Sequence, residues 1–491
     1  MVSEGKMREK FLTFFQKYVL FFGVVLLFAA IPLYPKLPIF SIKGTYVPVR
    51  AEDFLIAFLF TVWTVLFLLK RIRLTFDVFF KSVAVYFVIG LISLLNALFL
   101  TQTVVPHLAF LHYLRRIEYF SVLLLVVTTI TTQKRMFISL ITLFLTTVAV
   151  IIYGIGQQYF SWPVISTMNE EFSKGMILHL TEGARVNSTF AGHYDLAAFL
   201  VLVLAVLAAT VILAKKRWQK VSLVFLGIAS YWLLLETASR ISFGAYIVAI
   251  FLVLFLANTK WQKLWVVPVI GLSVLGLFYS DELSQRFSST IPKVDLKQVF
   301  ERFLPRKELG VTPSEQPIVE VPEEQTGTGG SGGTGEVTIL EEEEATYGAT
   351  PSAIYWEPPA VSAARSANIR YAAEWPRAIR AFSRHPLLGT GYSSITLATD
   401  NDYLRSLGET GLLGLTAFLI IFVELFRKIF RFLFVEKKRG VERILVIGFA
   451  GAVIGFLFNA IFIDVFEASK VAILFWMIVG LLLSTLRKAK V

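Results

Sequence analysis

Apolar runs close to twenty residues long recur along nearly the whole chain, and Val19 to Ala30, Phe54 to Leu69 and Leu196 to Leu213 carry no charge at all. A helix needs about 20 such residues to cross the hydrocarbon layer of a bilayer, where each backbone polar group must be satisfied within the segment. The runs are continuous and lack the roughly ten-residue alternating pattern of a membrane barrel strand. One fold class survives: an all-α polytopic membrane protein. With 56% of its 491 residues hydrophobic, the chain is not a water-soluble globule.

About twelve candidate spans lie near 18–34, 53–69, 78–100, 108–131, 136–158, 194–214, 221–236, 241–257, 264–280, 408–426, 444–463 and 469–486. With Met1 in the cytoplasm, Lys70-Arg71-Arg73, Lys134-Arg135, Lys215-Lys216-Arg217-Lys220, Lys260 with Lys263, Arg427 to Arg443 and Arg487-Lys488-Lys490 all fall on that same side. The positive-inside rule requires this, so both termini are expected in the cytoplasm. The net charge of +12 is thereby explained by topology, and nucleic acid is not an expected partner. The basic start (Lys6, Arg8, Lys10, Lys17) is not followed by a small-residue cleavage site, and Pro32, Tyr34 and Pro35 come next. It reads as an uncleaved first span.

The pattern divides the chain into membrane helices 1–9 over 1–280, an extracytoplasmic loop over 281–407, and helices 10–12 over 408–491. Within the loop, about 310–350 is a low-complexity insert, with Gly, Ser and Thr from Thr326 to Gly335 and then Glu341 to Glu344. Such a stretch buries too little apolar surface to order itself. From about 362 to 383, the spacing of Ile369, Ala372, Trp375, Ile379 and Phe382 predicts an amphipathic helix. Arg365, Arg370, Arg377, Arg380 and Arg384 are spread around it, a composition suited to resting on the membrane surface.

Several chemistries are excluded. There is no cysteine, the five histidines lack metal-ligand spacing, and neither a Gly-Lys-Ser/Thr phosphate loop nor a Gly-x-Ser-x-Gly elbow occurs. No metal or cofactor is expected. Arg185 stands at the mouth of the sixth span in Arg185-Val-Asn-Ser-Thr-Phe190, followed by His193-Tyr194-Asp195. Its guanidinium suits phosphate oxygens, or alternatively lipid headgroups. Asn187-Ser-Thr189 also matches a glycosylation sequon. Arg240 lies between two spans joined by almost no loop, where an arginine is usually paired or lines a polar cavity; Glu236 is the nearest partner in sequence. Asp400-Asn401-Asp402 offers a general base, a metal-binding pair or a helix cap. Gly389-Thr390-Gly391 reads as a turn or a weak ligand cradle, and Asp464 and Glu467 as solvated loop charges.

Taken in order, these pieces resemble the O-antigen ligase/O-antigen polymerase superfamily of bacterial membrane glycosyltransferases. The resemblance rests on Arg185-x-x-Ser-Thr-Phe190 with Asp195-Leu-Ala197, Ser239-Arg240 between spans, and a long loop ending in His385-Pro-Leu-Leu-Gly-Thr-Gly391. Asn401-x-Tyr-Leu404 and Glu409-Thr-Gly-Leu-Leu-Gly414 complete it. It implies a GT-C-like, metal-independent transferase in the bacterial cytoplasmic (inner) membrane. The donor would be a glycan on polyprenyl (undecaprenyl) diphosphate, and the acceptor a hydroxyl of a glycan, lipid or protein at the outer face. Arg185 and Arg240 would clamp the diphosphate, with His193, His385, Gly389, Gly391, Asn401, Tyr403 and Glu409 in the substrate site. Where the ligases usually carry a histidine before the asparagine, this chain has Asp400, which would act as the base. That departure leaves a polysaccharide polymerase open. A transporter or flippase for a lipid-linked or anionic solute fits the same number of spans, and a non-catalytic scaffold would leave the arginines replaceable.

Overall fold

The computed structural model describes residues 12–35, 49–165, 184–257, 266–276, 370–395 and 398–488, with short pieces at 9, 37, 39–40, 177–178 and 180. These belong to one compact unit formed by 1–294 and 361–491; a second unit, 295–360, lies outside the described residues. The expected insert at 310–350 and the first part of the expected amphipathic stretch therefore also lie outside them.

The helices in chain order are α1 (Leu12–Leu33), α2 (Ala51–Leu68), α3 (Val78–Leu100), α4 (Pro106–Thr129), α5 (Gln133–Phe160), α6 (His193–Leu213), α7 (Arg217–Glu236), α8 (Arg240–Ala257), α9 (Val266–Leu275), α10 (Trp375–Arg384), α11 (Asp402–Phe430), α12 (Val441–Asn459) and α13 (Ser469–Lys488). Two short strands, β1 (Val164–Ile165) and β2 (Ile177–Leu178), pair antiparallel. Among the described residues, nine helices are long and apolar enough to cross a membrane. The all-helical, multi-pass membrane class read from the apolar runs thus holds. The two long helices outside that set, α4 and α11, carry charges within their length, Arg115, Arg116 and Glu118 in α4 and Arg405, Glu409, Glu424, Arg427 and Lys428 in α11.

The ends of the helices follow local chemistry. Thr132 caps α5 by accepting from the Arg135 N–H at 3.2 Å, and Asp77 caps α3 by accepting from Phe80 at 3.3 Å. Ser161 closes α5 in the left-handed region at φ 51°.

The core is centred on α6 and α13. Leu196 to Leu207 is buried on all sides, and the window of α13 that would span a membrane is 100% buried. A helix apolar all round belongs in such a place. Gly451 and Gly455 of α12 let it approach α8 closely: a methyl group there would lie 3.2 and 3.4 Å from the carbonyls of Ala249 and Ala245. Small residues at such crossings are how membrane helices gain packing energy when lipid is as apolar as they are.

Candidate functional site

One end of the bundle gathers the loop at 184–192, the turn between α7 and α8, the polar segments 370–395 and 398–402, and the turn between α12 and α13. The loop carrying Arg185 is fixed first. Gln157 accepts from the Ser188 N–H at 2.7 Å and donates to the Ser188 carbonyl at 2.9 Å, so one amide holds both faces of a residue at φ 51°. The Val186 N–H donates to the Glu236 carbonyl at 3.3 Å, tying this loop to the turn that begins at Glu236 and leads into Arg240. Lys470, at 1% exposure, donates to the carbonyls of Thr189 (2.7 Å) and Pro32 (3.2 Å) and stands 5.0 Å over the Phe190 ring. A charge so buried persists only when its donors are used.

On this frame Arg185 reaches His193 Nε2 at 2.8 Å. Arg240, opening α8, lies within electrostatic reach of Arg185, Arg370 and Tyr194. Arg370 begins a π-helical turn, Arg370–Glu374, that leads into α10; such turns are frequent at functional sites. Its Nε donates to Asp400 Oδ2 at 2.8 Å, with Nη2 2.7 Å from the same oxygen, and the side chain lies within electrostatic reach of Tyr194. Three guanidinium groups from three distant parts of the chain thus share one electrostatic neighbourhood with His193 and Tyr194.

Asp400 is held in an unusual posture. Its φ is +48°, and the N–H groups on both sides of it, from Thr399 (2.7 Å) and Asn401 (3.0 Å), donate to the Asp464 carboxylate. Burial raises the Asp400 carboxyl above its ordinary range, while Arg370 opposes the rise. Glu374, on the same π turn as Arg370, is pushed further, up to about 8, by burial and then by the nearby Asp400 charge. Its Oε2 is buried without a hydrogen-bond partner. A base that can hold or release a proton near neutral pH therefore lies beside a cationic cluster suited to phosphate oxygens.

The remaining candidates are engaged in structure. Asn401 caps α11, accepting from the Leu404 N–H at 2.9 Å, and Tyr403 donates to the Leu457 carbonyl at 2.9 Å. Asp402 turns away from Asp400 and accepts from the Phe466 N–H at 3.1 Å, so the two carboxylates do not face one ligand. Gly389 and Gly391 run along a kink in α11 at Gly411: Thr390 and Gly391 donate to the Gly408 (3.0 Å) and Glu409 (2.8 Å) carbonyls, and Leu412 donates to Pro386 (2.8 Å). Gly389 and Gly411 lie back to back, both at positive φ, and a Cβ on either would sit 2.6 Å from the other's nitrogen. Groups freed by the kink are satisfied by the second segment. His385 closes α10 just before this lock.

Beneath lies a buried ion network that the sequence did not announce. Arg405 reaches Asp464 (3.2 Å), Glu409 (3.4 Å) and Glu467 (4.0 Å), and Arg116 pairs with Glu467. Asp464 and Glu467 are thus not solvated loop charges. Their partners sit on α4 and α11, and the turn folds inward to meet them. The described part of the expected amphipathic helix, α10, packs on α11: a methyl at Gly408 would lie 2.9 Å from the Ala378 carbonyl.

No family model matches the chain, and no curated protein does either.

Proposed function

We propose that this protein is a membrane glycosyltransferase of the O-antigen ligase-like kind, moving a glycan from a polyprenyl diphosphate carrier to an acceptor hydroxyl. The observation that carries the reading is the electrostatic neighbourhood that Arg185, Arg240 and Arg370 share with His193 and Tyr194. In the reaction the acceptor oxygen bonds to the anomeric carbon as the bond from that carbon to the diphosphate oxygen breaks. Charge grows on the departing diphosphate, where fixed guanidinium groups stabilise it most. The acceptor proton passes to a carboxylate. Asp400 stands nearest the cluster through its bond to Arg370, and Glu374 is the second group able to take it. The proposed setting is a GT-C-like bundle of about twelve spans in a bacterial cytoplasmic membrane, with both termini inside, the site at the outer face, and no cofactor.

The test uses reconstituted protein and a polyprenyl-diphosphate saccharide, following release of the carrier diphosphate. Arg185→Ala and Arg240→Ala should each lower turnover by roughly 10²-fold or more. Undiminished turnover in both variants would overturn the site. Movement of the intact lipid-linked saccharide across the bilayer without diphosphate release would instead identify a flippase. Product chains that lengthen by whole repeat units would mark a polymerase.

A further inference from the structure

The opposite end of the bundle holds a cavity of about 530 Å³ among α3, α11 and α13 that takes no part in the site above. Its cations are unevenly satisfied. Lys428 is fixed to Asp77 at 2.7 Å. Arg427 and Arg431 pair with Glu424 (3.4 Å) and Glu436 (3.2 Å), but both arginine side chains are 67% exposed, so water screens those pairs and the side chains are free to turn to another anion. Arg487 differs. Its guanidinium lies 5.3 Å over the Phe80 ring, and its Nη2 is buried without a hydrogen-bond partner. A buried, unsatisfied donor on a permanent cation calls for an anion.

Val78, Phe432, Leu483 and Leu486 supply the apolar part of the wall, and Phe430 and Val435, next to its lining residues in the chain, are exposed. A free inorganic anion would use the cations and leave these surfaces uncovered. In the segment that follows α11, a second cavity is lined by Lys437, Lys438, Arg439 and Arg443 with no acidic residue, which raises the local positive potential. Basic pockets between membrane helices, next to clustered Lys and Arg, bind anionic lipid headgroups.

We infer that this cavity is a binding site for an anionic phospholipid, its phosphate on Arg487 with Arg427 and Arg431, and its chains along Phe432, Leu483 and Leu486. The site is independent of the transfer reaction. The test is native mass spectrometry of the full-length protein extracted from bilayers of phosphatidylcholine containing phosphatidylglycerol. Wild type should retain phosphatidylglycerol in clear excess over its share of the bilayer. Arg487→Gln should lose that enrichment by roughly tenfold, the worth of one charge-assisted hydrogen bond, and Arg487→Lys should keep part of it. The melting temperature of each variant in phosphatidylcholine alone reports whether it folds. Should Arg487→Gln fail there, the double variant Arg427→Gln/Arg431→Gln carries the same readout. Equal retention of the two lipids, or an enrichment unchanged in the variants, would overturn the proposal. Displacement of the lipid by millimolar inorganic phosphate would overturn it as well, since the site would then select the anion and not the lipid.

Discussion

The Glu374 carboxyl gives the site a measurable pH signature. Burial, with the Asp400 charge added and Arg370 opposing, pushes it from 4.5 to about 8. An unfolded chain loses this proton above the ordinary value, whereas the folded protein keeps it until about 8. Between those limits the folded state binds more protons, so stability falls as the pH rises and levels off above them. One proton held by the folded protein and lost by the unfolded chain contributes about 1.4 kcal/mol per pH unit. Water reaches part of this side chain and narrows the window over which that slope holds, so the expected loss lies below the full value. Asp400, raised mainly by burial, adds to the slope in the same direction. The assay is thermal unfolding of the full-length protein in detergent, followed by tryptophan fluorescence, for wild type and Glu374→Gln. From about pH 6 to about pH 8, wild type should lose roughly 1–2 kcal/mol more than the variant. Equal slopes in the two proteins would refute the proton assignment. A wild type that gained stability relative to the variant toward alkaline pH would refute its sign.

Other substitutions probe the frame. Gly411→Ala forces a side chain into positive φ and against the backbone of Leu387 and Gly389, and should cost at least about 2 kcal/mol in thermal unfolding; an unchanged melting temperature would dissolve the proposed lock. Asp464→Ala leaves Arg405 short of a buried partner and releases both N–H groups beside Asp400. It should destabilise by about 3–5 kcal/mol, with calorimetry as the check. Lys470→Met removes a charged donor from two carbonyls and should cost about 2–3 kcal/mol. It should also lower turnover by loosening the Arg185 loop, and full activity in a destabilised variant would separate the two roles. Glu467 is opposed by burial but held below the ordinary carboxyl range by Arg116 and Arg405. Its contribution is complete above the ordinary value and lost as the pH falls through the lowered one, so Glu467→Gln should flatten the acid limb of an unfolding titration.

The helices were legible because a bilayer enforces one strong periodless signal, a run of about twenty apolar residues. Arg185 and Arg240 were legible for the complementary reason, as charges where charge is costly. Arg370 and Glu374 were not. They sit in a polar stretch where several arginines share the helix, and only the fold decides which turns toward Asp400. Asp464 and Glu467 were misread because a carboxylate in a short turn carries no pattern, and their partners lie on helices far away in sequence. Gly389-Thr390-Gly391 and Glu409-Thr410-Gly411 looked like two motifs. They are two halves of one backbone contact, which is why neither half looked sufficient alone.

The full burial of α13 bears on how the protein is made. Twelve of the described helices precede α13 in the chain, yet α13 occupies the middle of the bundle and supplies Lys470, which clamps the Arg185 loop to the end of α1. During synthesis the surfaces that pack on α13 stay without that partner until it emerges. A chain released before Ser469 would lack the packing partner of those surfaces and the Lys470 clamp on the Arg185 loop.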